Sequence, residues 1–326
     1  MRLDGTDTAA IERAAALLAG GALLAFPTET VYGLGARADD DAAVAKIFEA
    51  KGRPANHPLI VHVADADAAA HFAARIPPVA QRLMDAFWPG PLTVIVPRAS
   101  GMAAAAAGGQ HSVGLRCPAH PVAQALLRAA RRLGVAGVAG PSANRFGRVS
   151  PTLAAHVEAE FGASMPVLDG GPCTVGIESS IVDCTRGRPV LLRPGVLTRA
   201  AIEAAAGEAL HDADAHAPRA SGTLASHYAP NARVQLLTAP RLVEALQSRS
   251  DSAPGLAVYS AVAPALAVPG VWHRRMPVRP DDVARELFSV LREFDDRGVQ
   301  LIWIEAPPPG PEWDGVRDRL QRAAAV

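Results

Sequence analysis

Two short stretches carry residues whose types and spacing could do chemistry. The first runs Thr28-Glu29-Thr30-Val31-Tyr32, a hydroxyl-rich segment after Pro27, and leads to Lys51-Gly52-Arg53 and His62. The chain has two lysines, Lys46 and Lys51, against thirty arginines. A chain this biased towards arginine uses it wherever a generic positive charge suffices. Lys51 beside Arg53 therefore points to a task needing a compact ammonium next to a planar fork. The competing reading is a solvated helix C-terminus, where cations offset the dipole. The second stretch, Gly140 to Thr152, places Ser142, Asn144, Arg145, Arg148 and Ser150 between a strand and a helix. Backbone N–H groups at a helix start, together with arginines, suit an anion; an ordinary polar loop with a hydroxyl cap is the alternative. No Ser-His-Asp or Cys-His pairing stands out.

The elements that must position these residues alternate between strand and helix. Ala22 to Phe26 reads as a buried strand, and Thr28 to Tyr32 as a loop closed by Gly33 and Gly35. Asp39 to Asp41 mark a helix start, with Val44, Ile47 and Phe48 on its apolar face. That helix ends at Gly52 and Pro54, and Leu59 to Val63 forms the next strand. Thr30, Lys51, Arg53 and His62 thus fall near element ends, where sites collect. Helices are expected over 8–18, 65–74, 78–87, 120–133, 153–161 and 198–206, and strands over 92–96, 112–116, 135–139, 165–168, 177–183 and 189–192. The alanine run 103–107 reads as a surface loop or frayed helix. Residues 207–232 have no apolar period and read as a linker holding the unusual Ser226-His227-Tyr228-Ala229-Pro230. The rhythm then restarts, with strands at 234–237, 256–259 and 300–305 and helices at 241–247, 281–296 and 312–324. These readings give a domain over 1–206, a linker over 207–232 and a small three-layer α/β domain over 233–326.

Composition limits the rest. At 326 residues the chain can hold two domains of about 150 residues. A formal net charge of zero offers no whole-protein basic field for nucleic acid. Cys117, Cys173 and Cys184 are odd in number and lack CxxC spacing, which suits a reducing compartment with neither disulfides nor a zinc site. Cys173, in a glycine-rich loop, reads as a small buried hydrophobe in preference to a reactive thiol. Met1 to Thr8 has no apolar signal region, and the longest apolar runs are too short to span a bilayer. The expected location is the cytoplasm.

Seven stretches in order, FPTETVYGLG, KGRPANHPLIVHV, WPGPLT, SVGLRCPAHP, PSANRFGRVSPT, DGGPCTVGIESSIVD and LLRPG, resemble the YrdC-type threonylcarbamoyl-AMP synthases. The later SHYAP and the trailing α/β segment resemble the longer, two-domain form. The resemblance implies a twisted open mixed sheet with a basic concave cleft, plus a smaller Rossmann-like C-terminal domain. It also implies a nucleotidyltransferase that makes threonylcarbamoyl-AMP and diphosphate from L-threonine, bicarbonate and ATP with Mg2+, without a tightly held protein-ligated metal. That product serves threonylcarbamoyladenosine modification of tRNA through a downstream transferase; direct tRNA binding is not required, and no membrane is involved.

Carried over by position, the L-threonine residues are Thr30, His62, Arg116 and Ser180. The ATP residues are Lys51, Arg53, His57, Ser112, Ser142, Asn144, Ser150, Arg193 and Tyr228, with Lys51 and Arg53 the catalytic cations. His57 stands where the family often has Asn, and Ser180 where Thr is commoner. The rival of a different class is a non-catalytic double-stranded RNA or tRNA binder using the cleft. Zero net charge and the lack of interleaved basic and aromatic residues count against it. A carbamoyl-transfer relative acting on another acceptor would carry zinc-finger and acylphosphatase-like segments, which are missing here.

Overall fold

A computed structural model describes residues 1–224, 227–248, 255–262 and 270–325. The described residues form two compact units. The first holds Met1–Phe146 and Ser150–Thr223, the second Gly147–Val149 and the chain from Leu224 onward. Within the stretch read as a linker, residues up to Thr223 thus belong to the first unit. Ser226 of the SHYAP motif lies outside the described residues.

The first unit is built on eleven strands among the described residues. They are β1 (Arg2–Asp4), β2 (Leu24–Phe26), β3 (Gly33–Arg37), β4 (Ile60–His62), β5 (Leu92–Pro97), β6 (Ser112–Arg116), β7 (Val138–Ala139), β8 (Val167–Asp169), β9 (Ser180–Asp183), β10 (Val190–Arg193) and β11 (His211–Asp212). Their order is β1-β8-β2-β3-β7-β4-β6-β5-β9-β10-β11, with parallel and antiparallel neighbours mixed. The mixed α/β sheet expected from the sequence is present.

The helices follow the sequence signals. α1 (Thr8–Ala19) is capped by Asp7, whose carboxylate accepts from the Ala9 N–H. α2 (Asp41–Lys51) starts at Asp40, which accepts from Ala42 and Ala43, and ends where Gly52 turns left-handed at φ 62°. The unit continues with α3 (Ala66–Ala70), α4 (Pro78–Phe87), α5 (Pro121–Arg132), α6 (Ala154–Phe161) and α7 (Arg199–Ala206). Ala103 to Ala107 is a run of turns, and the 65–74 helix is cut to five residues.

Three strands of this sheet escape the sequence reading. Gly33 and Gly35 do not close a loop; they lie in β3, antiparallel to β2. A Cβ at Gly35 would stand 2.8 Å from Val138 Cγ1 and 2.9 Å from Phe26 Cε1, so these glycines permit close cross-strand approach. β1 is a three-residue edge strand. His211 and Asp212 form a two-residue edge strand paired to β10, inside the stretch with no apolar period.

Among the described residues the second unit has four parallel strands, β12 (Arg233–Leu237), β13 (Leu256–Ser260), β14 (Val271–Arg275) and β15 (Leu301–Glu305), in the order β12-β15-β13-β14. β14 is the strand that the pattern missed, because none of its five residues is buried and three of them, His273, Arg274 and Arg275, are polar. α8 (Ala239–Gln247) packs Leu242 and Leu246 on Leu256, Val258 and Trp303. The opposite face of β13 meets α9 (Pro280–Asp296) through the Tyr259 hydroxyl, which donates to Glu286 at 2.9 Å. α10 (Asp314–Ala323) follows, and the described residues give a helix–sheet–helix arrangement. No described helix is long and apolar enough to cross a membrane.

Candidate functional site

Side chains alternate across a sheet, so residues two apart share a face. Register places His62 opposite Arg116, Ile60 opposite Gly114, Ile95 opposite Gly114 and Thr93 opposite Ile181. One face of the central strands therefore carries His62, Arg116 and Thr93 at one end and Ser112 at the other. Ile60, Thr93, Ile95, Ser112, Gly114 and Ile181 line a cleft there, with Ser221 across from them.

At the Arg116 end, the Thr28–Tyr32 loop is held rigid. The Thr28 hydroxyl donates to Val31 O at 2.6 Å and accepts from the Thr30 and Val31 N–H groups. Tyr32 ties the loop to Asp169 and Gly171 at 3.0 and 2.8 Å. This fixes Thr30, whose Oγ1 accepts from Arg116 Nη1 at 2.8 Å. Arg116 Nη2 stands 2.7 Å from Glu29 Oε1, both side chains being buried. The WPGP turn brackets the same place: Gly90 O accepts from Arg116 Nε at 3.3 Å, and Pro91 O accepts from the Ser180 N–H at 3.0 Å. The Ser180 hydroxyl is buried without a hydrogen-bond partner among the described residues. Burial, helped by the Arg116 charge, pushes the His62 imidazole down to about 3. His62 is therefore neutral at physiological pH.

At the other end the cations rest on backbone. Lys51, buried at the end of α2, donates to Ser142 O at 2.6 Å and to Asn144 O. Burial and the neighbouring Arg53 charge hold its ammonium well below the ordinary lysine value. Arg53 donates to Pro58 O at 3.0 Å and lies over the Phe146 ring. His57 meets Phe146 edge-on, and burial and Arg53 lower its pKa. Arg193, paired with Ile181 and so level with Thr93 at the Arg116 end, donates to Ser179 O and to Ser221 O, the latter at 2.8 Å, and Arg53 comes to 3.4 Å from Ser221 Oγ. Ser150 bonds to Glu178.

Of the residues expected from the sequence, Thr30, His62, Arg116 and Ser180 come together at one end. Lys51, Arg53, His57, Ser142 and Asn144 gather around α2 and the 142–146 loop, and Arg193 joins Arg53 through Ser221. Ser112 lies on the cleft wall. Tyr228 belongs to the second unit, at φ 62°, stacked on Phe288 with the Arg319 guanidinium 5.3 Å from its ring centroid. Sequence reasoning missed Glu29, although a carboxylate between two threonines was a visible signal. It also missed Gln110, whose amide pairs with the backbone of Arg219 in both directions at 2.9 and 3.1 Å. Nothing local distinguishes Gln110, because its partner is more than a hundred residues away.

The fold and site define an α/β protein whose mixed sheet carries a buried guanidinium–carboxylate pair and, near it, cations held by backbone carbonyls. A family model described as telomere recombination matches residues 16–195, and one described as the threonylcarbamoyl-AMP synthase C-terminal domain matches residues 197–325. The chain belongs to the Sua5–YciO–YrdC family, in its two-domain threonylcarbamoyl-AMP synthase form. It is 37% identical to the threonylcarbamoyl-AMP synthase of Pyrococcus abyssi, over 96% of this chain and 94% of that protein. It is also 37% identical to that of Bacillus subtilis, over 98% and 94%. A solved structure of Pyrococcus abyssi Sua5 complexed with L-threonine has the same fold, with a TM-score of 0.89 and 35% identity, covering 99% of this chain and 97% of that one.

Proposed function

We propose that the chain makes threonylcarbamoyl-AMP from L-threonine, bicarbonate and ATP. The observation that carries this is one sheet face with a guanidinium and hydroxyls at one end and a cation cluster beside it, in a member of this family. At the first end, the amino acid carboxylate lies on the Arg116 fork, with Thr30, Ser180 and neutral His62 near the β-hydroxyl. At the second, Lys51, Arg53 and Arg193 take the triphosphate, flanked by Ser112, Ser142, Asn144 and Ser150.

The amine attacks the bicarbonate carbon, giving a carbamate and water. A carbamate oxygen then attacks the α-phosphorus, the bond to the bridging oxygen breaks, and diphosphate leaves. The side chains supply fixed charge where negative charge builds on the leaving group. They need supply no nucleophile, and burial raises the Cys173 and Cys184 thiols, which keeps them protonated. The carbonyls that hold Lys51 yield to phosphate oxygens, whose charge favours the ammonium that burial disfavours. Magnesium would arrive on the polyphosphate: the cleft's donor set is cationic, and no described cluster of three His, Cys, Asp or Glu could hold a metal. The product passes to a transferase acting on tRNA.

The test is diphosphate release with and without L-threonine and bicarbonate, other amino acids serving as controls. ATP turnover indifferent to L-threonine would end the reading. Tyr228, the third residue of the five-residue motif in the 207–232 segment, is assigned to ATP on the family resemblance. Unchanged ATP affinity and turnover in Tyr228→Ala would remove it.

A further inference from the structure

Glu29 is buried, 5% exposed, in the loop that presents Thr30. Removing a carboxylate from water costs several kcal/mol unless donors replace the lost solvent. Arg116 Nη2 lies 2.7 Å from Oε1, but its N–H directions miss the oxygen. No described residue makes a hydrogen bond to either carboxylate oxygen. The guanidinium spends its aligned donors elsewhere, on Thr30 Oγ1 and Gly90 O. Glu29 thus keeps a full acceptor capacity beside Arg116 Nη2, which has no aligned acceptor of its own. Ser180, whose hydroxyl is also without a partner, donates its backbone N–H to Pro91 O of the same WPGP turn.

Such a pair matches a zwitterion. We propose that Glu29 receives the α-ammonium of the amino acid substrate while Arg116 takes its carboxylate, so that the site selects α-amino acids over their deamino counterparts. The inference rests on the reading of this end as the L-threonine site. On binding, the internal ion pair opens and each partner finds an opposite charge in the ligand, so the net charge of the pocket is zero before and after.

The test is calorimetric titration of the full chain with L-threonine and with (R)-3-hydroxybutanoate, which keeps the carboxylate and the β-hydroxyl but lacks the amine. Glu29→Gln keeps the shape and removes the charge. It should weaken L-threonine by about tenfold to a hundredfold, the worth of one charge-assisted bond, and leave (R)-3-hydroxybutanoate unchanged or tighter. Equal losses for both ligands would mean that Glu29 only props Arg116, and would overturn the proposal. So would unchanged L-threonine affinity. If Glu29→Gln does not fold, Glu29→Asp, which withdraws the charge by one methylene, should show a smaller loss confined to L-threonine; a loss shared by both ligands again overturns it. A wild-type chain that binds neither ligand removes the functional reading and this inference together. One that binds L-threonine, with equal losses in the variant, removes the inference alone.

Discussion

The two ends of the cleft handle charge in opposite ways. Around Arg116 the positive group faces a buried carboxylate, and the adjacent imidazole is neutral, so the pocket is balanced. Around Lys51 the cations lean on neutral carbonyl oxygens, Lys51 on those of Ser142 and Asn144 and Arg53 on that of Pro58, and Arg193 joins them through Ser221 O. A balanced pocket suits a ligand carrying both signs; a cationic one suits a polyanion. The contrast teaches that the guest's charge can be read from what each cation rests on before any guest is present.

Removing one partner of the balanced pair should have the largest effect. Arg116→Leu strands the Glu29 carboxylate in the interior, and the chain should lose about 3–5 kcal/mol of stability in denaturant melts. The double variant with Glu29→Leu should recover most of that stability and still bind no L-threonine. If the single variant is as stable as wild type, the pair is not balancing anything.

At the cationic end the expected loss is in rate, not in fold. Lys51→Ala should lower kcat by about a hundredfold to a thousandfold, as loss of one fixed transition-state donor does. It relieves a buried amine, so melts should shift little. Lys51→Arg should not rescue, since a planar fork cannot occupy the niche between the two carbonyls. A large loss of stability in Lys51→Ala would make this lysine structural and blur the contrast.

The smallest effect concerns His62. Its folded pKa, about 3, lies below the unfolded value near 6.5. The unfolded chain therefore binds the extra proton between those values, and stability rises with pH across that window. The contribution is complete above about pH 6.5 and is lost as pH falls towards 3, at up to about 1.4 kcal/mol per pH unit. His62→Gln should flatten that slope relative to wild type between about pH 5 and 6.5. Identical slopes would place a proton on His62 in the folded protein.

Much of this molecule is legible in the chain. The aspartates before α2 and the glycine after it do the capping that their positions suggest, and the motif loops fall at strand ends. What was hidden depends on distance along the chain. β3 was concealed because Gly33 and Gly35 look like turn residues, whereas their small size answers to Phe26 and Val138. Gln110 was invisible because its partner, Arg219, is brought near only by the completed sheet. Glu29 is an intermediate case: its type and place were plain, but its role depends on Arg116, eighty-seven positions later.

The scarcity of lysine has a consequence for self-damage. A mixed anhydride of a carbamic and a phosphoric acid acylates amines, and guanidinium groups are poor targets for it. The two side-chain amines of this chain are both engaged, Lys46 with Gly21 O at 2.7 Å and Lys51 with two carbonyls. An enzyme that releases such an electrophile, and whose site otherwise relies on Arg53, Arg116 and Arg193, offers it little to react with. Intact mass after prolonged turnover should show neither lysine carrying the acyl group.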